Sequence, residues 1–274
     1  MNSLRLALAR AVKALLSPFR FRGKGTILLA LCPRRGEVAI SLFGYRFVCD
    51  LSEHIQRSIF LFGYDPDAER FLRAHLKLGD TFVDVGANVG FYTLLASSIV
   101  GNAGRVFAIE PNPRPYAKLL ETIAKNQIRN VVALNIALGR NRTELDLYLN
   151  RTGDNDSATM VAHDGKESVN VQVFALDEIA ATHHVAAMDY LKIDVDGFEP
   201  EVFAGAGRIL SENRIRALQA EFSDYWLRRN GSSPEQLHRL LTDAGFEDVE
   251  GEPRFVTDCI VDRFFVNRRP ALER

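Results

Sequence analysis

The sequence contains few cysteines and no long apolar run. Its three cysteines among 274 residues are scattered and odd in number, so they provide neither a disulfide framework nor a zinc motif. The longest apolar stretch near the N-terminus, residues 27–32, is far shorter than the roughly 20 residues of a membrane-spanning helix. Arg10 and Lys13 also interrupt the apolar core that a signal peptide requires. These absences predict a cytoplasmic protein with reduced thiols.

Excess charge is also absent from the chain as a whole, but not from its N-terminus. The 34 basic and 35 acidic residues give a net charge of −1, which offers no reason to expect nucleic acid as a partner. Residues 1–36, however, contain eight basic residues and no acidic one. Apolar residues at helical spacing predict a basic amphipathic helix that ends before Pro18: Leu4, Leu8, Ala11 and Leu15.

Two roles remain open for this N-terminal helix. A basic amphipathic helix can bind weakly to an anionic membrane surface, which would make the protein membrane-peripheral. It can also dock on its own domain or on a second subunit. We favour docking, because the segment is short and contains no tryptophan.

The remaining chain has the pattern of an α/β protein. A strand pair at 37–50 and a helix at 67–77 come first, and short apolar strands then alternate with helices. This alternation predicts a parallel sheet covered on both faces. The predicted strands are 81–85, 105–109, 131–138, 189–195, 215–222, 246–250 and 260–267, and the predicted helices are 89–100, 113–126, 199–212 and 233–244.

An insertion precedes the fourth predicted strand. Residues 143–149 and 169–174 alternate polar and apolar side chains, which predicts a β-ribbon flanking the polar loop 150–168. We therefore divide the chain into an N-terminal extension, residues 1–63, and an α/β domain, residues 64–274.

The first strand of the sheet ends in a glycine-containing loop, Asp84-Val-Gly-Ala-Asn-Val-Gly90. Its glycines allow a sharp turn and the close approach of a ligand, and the following helix start offers free N–H groups. The loop is neither the dinucleotide G-x-G-x-x-G fingerprint nor a P-loop. Asp84 is placed to meet a cationic ligand or a ribose.

Two further polar residues follow the next strands. Glu110 ends the second strand, where an acid typically accepts hydrogen bonds from a ribose diol. The alternative, a helix-start acid before Pro111, is less favoured because the glycine loop and the acid occur together. Asn135, in the third strand, can reach an adenine or can make only a hydrogen bond at the sheet edge.

The fourth strand carries charges on one face. Lys192, Asp194 and Asp196 alternate with apolar residues, although unpaired charge is unfavourable in a covered sheet. Ligands of such sheets bind beyond the carboxyl ends of the strands where the strand order reverses. The pattern therefore predicts a site role for Asp194, whereas Lys192 either belongs to the site or only pairs with an acid. Glu221 ends the fifth strand and faces the same crevice, as a substrate hydrogen-bond acceptor or a structural partner.

Metal and histidine chemistry are not predicted. Four carboxylates near the fourth and fifth strands suit a hard cation such as magnesium, but such groups are common at strand ends without metal: Asp194, Asp196, Glu199 and Glu221. Three histidines lie in or near the insertion and receive no catalytic assignment, because most loop histidines are solvated: His163, His183 and His184.

Three motifs in this order resemble the FkbM family of methyltransferases: DVGANVGFYT from Asp84, AIEPNP from Ala108 and LKIDVDGFEPEV from Leu191. The resemblance runs from about Tyr64 to Val266, includes Asn155, Asp156 and Ser157, and leaves residues 1–50 largely outside. Asp196 differs, since the family more often has Glu there. The resemblance implies an α/β fold with a seven-strand Rossmann-like class I methyltransferase sheet, and S-adenosylmethionine as cofactor.

The resemblance also implies roles for individual residues. The cofactor loop would be formed by Asp84, Gly86, Asn88 and Gly90. Glu110 would hold the ribose hydroxyls, and Asp194 would face the reacting centre. Asn135 is a further candidate cofactor contact, from its place in the third strand and not from the resemblance. The candidate catalytic residues are Asp194, Lys192 and Glu221.

The expected reaction is O-methylation of a hydroxyl on a sugar, a glycolipid or a polyketide-like small molecule. Its acceptor pocket would involve residues 150–168, the region after the fourth strand, Tyr225 and Trp226. Two alternatives remain: a catalytically silent S-adenosylmethionine-binding partner module, and an NAD-type oxidoreductase. The missing dinucleotide fingerprint and the charged fourth strand count against the oxidoreductase.

Overall fold

The computed structural model describes residues 7, 11–13, 15, 24–149, 158–160 and 167–269. The predicted N-terminal helix falls largely outside these residues. The same holds for most of the polar loop, including Asn155, Asp156, Ser157 and His163.

A mostly parallel sheet of seven strands forms the centre of the molecule and confirms the predicted fold class. Its strands are β3 (Thr81–Val85), β4 (Arg105–Ile109), β5 (Val131–Leu134), β10 (Met188–Ile193), β11 (Ile215–Ser223), β12 (Phe246–Asp248) and β13 (Ile260–Asn267). Their order in the sheet is β12-β13-β11-β10-β3-β4-β5, and β13 runs antiparallel to both of its neighbours. From β3 the chain adds β4 and β5 on one side and then returns to add β10 on the other. The strand order therefore reverses between β3 and β10.

The predicted ribbon is part of a second, smaller sheet with the order β6-β9-β7-β8. These strands are β6 (Ala137–Leu138), β7 (Thr143–Leu149), β8 (Ala158–Thr159) and β9 (Ser168–Phe174). The prediction of one strand over 131–138 was wrong. The chain leaves the main sheet after Leu134, and Ala137 pairs with Val173 of the small sheet instead.

The described helices cover the sheets and connect the strands. They are α1 (Lys24–Leu31), α2 (His54–Phe62), α3 (Pro66–His75), α4 (Phe91–Val100), α5 (Pro113–Lys125), α6 (Leu176–Thr182), α7 (Glu199–Ala204), α8 (Gly207–Ser211), α9 (Asp224–Arg229) and α10 (Pro234–Asp243). None of the described helices is long and apolar enough to cross a membrane.

Local sequence signals set several helix ends. Helices α3, α5 and α10 each begin with proline, directly after a side chain that accepts a hydrogen bond from the first turn: Asp65, Asn112 and Ser233. The prediction of one helix over 199–212 was wrong, because α7 ends at Ala204 and α8 starts at Gly207. At Gly205 the backbone packs on Gly139, and a Cβ there would lie 2.0 Å from the Gly139 carbonyl oxygen.

The N-terminal extension covers one face of the central sheet. It contributes α1, the hairpin of β1 (Glu37–Leu42) and β2 (Tyr45–Asp50), and α2. Leu28, Phe47 and Ile59 of this part share one hydrophobic core with Phe82 and Tyr190 of the sheet. This hydrophobic core therefore contains residues from both sides of the predicted boundary between residues 63 and 64. The division of the chain at that boundary stays a prediction.

The opposite face of the sheet is apolar throughout its centre. Val83, Leu191 and Leu218 are buried there against residues of α6, α7 and α10. Both faces of the sheet are therefore covered. The polar residues at the ends of β3 and β10, where the strand order reverses, lie together at one edge of this buried sheet.

Candidate active site

Two rows of polar side chains cross the sheet face that the N-terminal extension covers. In the strand register, Lys192 lies beside Asp84 on one side and Gln219 on the other. Because side chains alternate along a strand, Asp194 and Glu221 follow on the same face, one pleat closer to the carboxyl ends. Asp262 of β13 is the register partner of Glu221.

The glycine loop is shaped by its packing against β10 and α5. Gly86 has φ +79°, and a Cβ on it would lie 1.9 Å from the carbonyl oxygen of Asp194. Gly90 has φ +93°, and a Cβ there would lie 2.5 Å from Leu119 Cδ1. The N–H groups of Gly86 and Ala87 both donate to the Ile109 carbonyl. The loop is thus held between the ends of the neighbouring strands.

Glu110 joins the end of β4 to this loop. Its two carboxylate oxygens accept hydrogen bonds from the backbone N–H groups of Asn88 and Asn112, both at 2.8 Å. The side chain is buried, and burial raises the pKa of Glu110 to about 7 although these two N–H groups lower it. Each oxygen keeps a second lone pair, so the carboxylate can also accept from two ligand hydroxyls.

Lys192 is a buried cation whose positive charge is paired with two aspartates. Its Nζ donates to the Gly86 carbonyl at 2.8 Å and lies 3.2 Å from Asp194 Oδ2 and 3.7 Å from Asp84 Oδ1. Burial alone would lower the pKa of Lys192, but Asp194 and Asp84 outweigh it and raise the pKa. The ammonium group also lies 5.3 Å from the centre of the Tyr92 ring.

Asp84 lies beneath the site. It is completely buried, and Thr93 Oγ1 of α4 donates to its Oδ2 at 2.6 Å. Its Oδ1 accepts no hydrogen bond from the described residues. Burial raises the pKa of Asp84, against the opposing effect of Lys192. Asp84 therefore supports Lys192 and does not line the cleft.

A cleft opens above these groups, at the carboxyl ends of β3, β4, β10 and β11. Its lining includes six of the predicted site residues: Gly86, Asn88, Glu110, Lys192, Asp194 and Glu221. Gly90 instead caps α4. Asn135 is exposed, and its amide donates to the carbonyls of Glu110 and Pro111. This matches the second alternative, a hydrogen bond at the sheet edge, and Asn135 does not line the cleft.

Some cleft residues were not predicted: Ile55, Tyr64 and Tyr92 form part of its wall, and Leu147 comes from the ribbon insertion. Met160, which also lines the cleft, lies within residues 150–168, the region expected to contribute to the acceptor pocket. Neither Tyr225 nor Trp226 lines the cleft; Tyr225 is exposed, and the Trp226 backbone packs against Gly197.

Tyr64 has the most unusual backbone of these residues. Its φ of +77° is rare for a bulky side chain and costs about 1–3 kcal/mol. The ring packs edge-on against Phe91 and Tyr92 of α4. Burial and the nearby Asp194 raise the pKa of its hydroxyl. A single sequence gives no signal for Tyr64, because its place in the cleft depends on the docking of α2 and α3.

Carboxyl groups dominate the β11 side of the cleft. Glu199 accepts from the N–H groups of Val195 and Gly197 and so holds the turn after β10. Burial raises the pKa of Glu199 to about 8 and that of Asp262 to about 7. Burial and then the charges of Asp194 and Asp196 raise the pKa of Glu221 well above its usual range. Among the described residues, no group of three or more side chains is arranged to hold a metal ion.

A comparison with protein families identifies this arrangement. Residues 84–247, more than half of the chain, match the family model described as the methyltransferase FkbM domain. The chain belongs to this family. It is an S-adenosylmethionine-dependent methyltransferase, and the resemblance of the three sequence motifs is confirmed. Membership also removes the oxidoreductase alternative.

Individual relatives of this FkbM methyltransferase are distant. The hexuronic acid methyltransferase AglP of Haloferax volcanii is 25% identical over 205 residues, which cover 75% of this chain and 79% of the relative. The 31-O-demethyl-FK506 methyltransferase FkbM of Streptomyces tacrolimicus is 29% identical over 209 residues, covering 66% and 78%. A crystal structure of methyltransferase FkbM from Methylobacillus flagellatus aligns with a TM-score of 0.45 at 17% identity, covering 68% of this chain and 43% of that one.

The residues of the cleft fit S-adenosylmethionine, the cofactor of this methyltransferase. The loop 86–89 and the Glu110 carboxylate line one end of the cleft, where a nucleoside would be held. Asp194, whose side chain is 35% exposed, supplies negative charge next to them for a sulfonium. When bound, the cofactor supplies a methyl group activated by the positive sulfur.

Proposed function

We propose that the enzyme transfers this methyl group to a hydroxyl oxygen of a small molecule of the sugar, glycolipid or polyketide type. The observation that carries the proposal is the position of Asp194. It lies between the glycine loop and the carboxyl groups of β11 and β13, where a cofactor and an acceptor would meet. The names of the two curated relatives, a hexuronic acid methyltransferase and a methyltransferase of 31-O-demethyl-FK506, support an acceptor of this class.

The reaction needs few groups from the protein. The acceptor oxygen forms a bond to the methyl carbon while the carbon–sulfur bond breaks, and the hydroxyl proton must leave. Asp194 accepts the hydrogen bond of that hydroxyl and then its proton, which passes on to solvent. Glu110 holds the ribose hydroxyls and so fixes the direction of attack. Removal of the proton by a positioned carboxylate typically contributes about 10²–10⁴-fold in rate.

Lys192 has a positioning role in this proposal. Its contacts with Asp194, Asp84 and the Gly86 carbonyl set the orientation of the Asp194 carboxylate against the loop. Because the ammonium group is buried at the floor of the cleft and paired, it does not itself exchange a proton during turnover.

The experiment is an Asp194→Asn change, which keeps the shape of the side chain and removes its charge. Methyl transfer to acceptors extracted from the source organism should fall at least about 100-fold. The affinity for S-adenosylhomocysteine, measured by calorimetry, should stay within a few-fold, because the lost interaction acts in the transition state. Asp243→Asn, at the exposed end of α10, is the matched control. Equal turnover by the folded Asp194→Asn variant and its parent would remove Asp194 from the mechanism.

A further inference from the structure

Two acids next to Asp194 have no role in the steps above. Glu221 at the end of β11 and Asp262 of β13 are register partners on neighbouring antiparallel strands, so their side chains lie side by side on one face. Glu221 lines the cleft, and its Oε2 is buried without a hydrogen-bond partner among the described residues. We call these two residues the acid pair.

An unpartnered carboxyl oxygen at this place is costly. Leaving a buried polar group unsatisfied typically costs about 1–3 kcal/mol, more if the group is charged. Glu110, at the other end of the cleft, shows the contrast, because both of its oxygens accept backbone hydrogen bonds. Glu221, with Asp262 beside it, therefore has hydrogen-bonding capacity that the fold leaves open towards the cleft.

The charge of the cleft restricts what can use this capacity. Among the described cleft-lining side chains Lys192 is the only basic one, and it is already paired with two aspartates. Asp194, Asp196 and Glu221 all line the same cleft. A carboxylate entering this region would meet like charges in a partly buried site.

The protonation of the acid pair favours an uncharged partner. Burial and the facing acids raise the pKa of Glu221 well above its usual range, and burial raises that of Asp262 to about 7. The charged and titratable groups around the pair are Asp194, Asp196, Glu199, Asp65, Tyr64, Tyr92, Tyr190 and Lys192. Because both pKa values are raised, the pair keeps a proton to a higher pH than an ordinary carboxyl group does. A protonated carboxyl donates one hydrogen bond and accepts others, which complements a hydroxyl.

We infer that Glu221 and Asp262 form the acceptor subsite, which binds a neutral hydroxyl group and rejects an acceptor unit that carries a carboxylate. Tyr64 belongs to the same subsite, because it lines the cleft and lies near both Asp194 and Asp262. The inference rests on the proposed methyl transfer to oxygen and names the chemistry of its acceptor.

The first arm of the test uses the unmodified enzyme. S-adenosylmethionine with a tritiated methyl group is incubated with an extract of small molecules and glycolipids from the source organism. One part of the labelled product is treated with mild alkali, which releases methyl esters as methanol and leaves methyl ethers intact. The other part is hydrolysed to its building units, which are separated by charge.

We expect label that survives alkali and remains on an uncharged unit. Alkali-stable label on a unit with a carboxylate would overturn the inference and leave methyl transfer to a hydroxyl established. Alkali-labile label would overturn both, because the methyl group would then be on a carboxylate oxygen. Label on no product at all, from an enzyme that binds S-adenosylhomocysteine, would overturn the proposed function and the inference with it.

The second arm tests the acid pair itself. At limiting acceptor, Glu221→Ala should reduce methyl incorporation at least about tenfold, because it removes a hydrogen bond to the acceptor. Glu221→Gln, which keeps one donor and one acceptor in the same shape, should retain most of the activity. Both variants should bind S-adenosylhomocysteine like the parent, and Glu247→Ala, at the exposed middle residue of β12, is the matched control. Parent-like incorporation by Glu221→Ala would show that the acid pair does not bind the acceptor.

Discussion

Gly86 and Asp194 are in such close contact that a Cβ on Gly86 would lie 1.9 Å from the Asp194 carbonyl oxygen. The two residues follow β3 and β10, the strands on either side of the point where the strand order reverses. Their contact joins the glycine loop to the strand end where we propose the reacting centre. Lys192 reinforces it, because its ammonium group donates to the Gly86 carbonyl and lies 3.2 Å from Asp194 Oδ2.

Gly86→Ala should therefore destabilise the enzyme and weaken cofactor binding together. We expect a loss of more than about 2 kcal/mol in the free energy of unfolding, measured in urea, since strain at positive φ adds to overpacking. Gly44→Ala separates the two effects, because Gly44 also has positive φ but has open space around it. Equal losses of unfolding free energy for Gly86→Ala and Gly44→Ala would show that the contact between Gly86 and Asp194 does not contribute to stability.

Lys192→Met should have a large effect on stability because it leaves buried Asp84 without a cation. Removing one partner of a buried ion pair typically costs about 3–5 kcal/mol. The double variant Lys192→Met, Asp84→Asn should recover part of this loss, since it removes the unpaired charge. Lys125→Met, which changes an exposed lysine of α5, should be neutral in the same urea titration. A double variant no more stable than Lys192→Met would contradict the pairing.

Glu110→Ala should weaken S-adenosylhomocysteine binding. The carboxylate is buried, lines the cleft and has free lone pairs for ribose hydroxyls, so we expect a loss of about 2–3 kcal/mol in binding free energy. Calorimetry measures it, with Glu178→Ala on the surface helix α6 as control. Unchanged affinity would show that another group holds the ribose.

The stability of the cofactor-free enzyme should fall as pH rises. Burial raises the pKa of Glu110 and Asp262 to about 7 and that of Glu199 to about 8. Between the ordinary carboxyl pKa and these values the folded chain binds more protons than the unfolded chain, so folding loses free energy with increasing pH. Urea unfolding at pH 5.5, 6.5, 7.5 and 8.5, chosen to span roughly this window, should show the decline. Glu199→Gln should make the decline of stability less steep at the higher pH values. A free energy of unfolding that rises over this pH range would contradict the raised pKa values.

The basic N-terminus is expected to bind anionic vesicles weakly at low salt. Eight positive charges in residues 1–36 are uncompensated, and α1 exposes Ile27 and Leu29. Replacing Arg5, Arg10, Arg20 and Arg22 by serine should abolish sedimentation with such vesicles and leave cofactor affinity unchanged. An intact enzyme that stays in the supernatant would favour docking of this segment on protein instead.

Much of the cofactor end of the cleft could be predicted because its signals are local. A strand, a glycine turn and a helix follow one another within residues 81–100, and Glu110 ends the next strand. The alternation at Lys192 and Asp194 likewise indicated charges on one sheet face, which is where the structure places them. The role of Asn135 could not be decided from the sequence, because its local pattern suits two alternatives equally well. One is a contact with adenine, and the other is the pair of hydrogen bonds that it makes to the carbonyls of Glu110 and Pro111.

The acceptor end depends on contacts between distant segments. Tyr64 enters the cleft through the packing of the N-terminal extension, and Asp262 joins Glu221 only because β13 inserts antiparallel beside β11. Neither residue has a local sequence pattern that marks it.

The sequence by itself determined the strand and helix succession, the glycine loop and the acids at the strand ends, since these depend on periodicity, turn chemistry and neighbouring residues. Only the tertiary structure decided that Lys192 is neutralised by Asp84 and Asp194 and that Glu221 keeps an unpaired oxygen in the cleft. The physical reason is that pairing and burial depend on strand order and on the segments that cover the sheet. Both are set by packing between residues far apart in the chain.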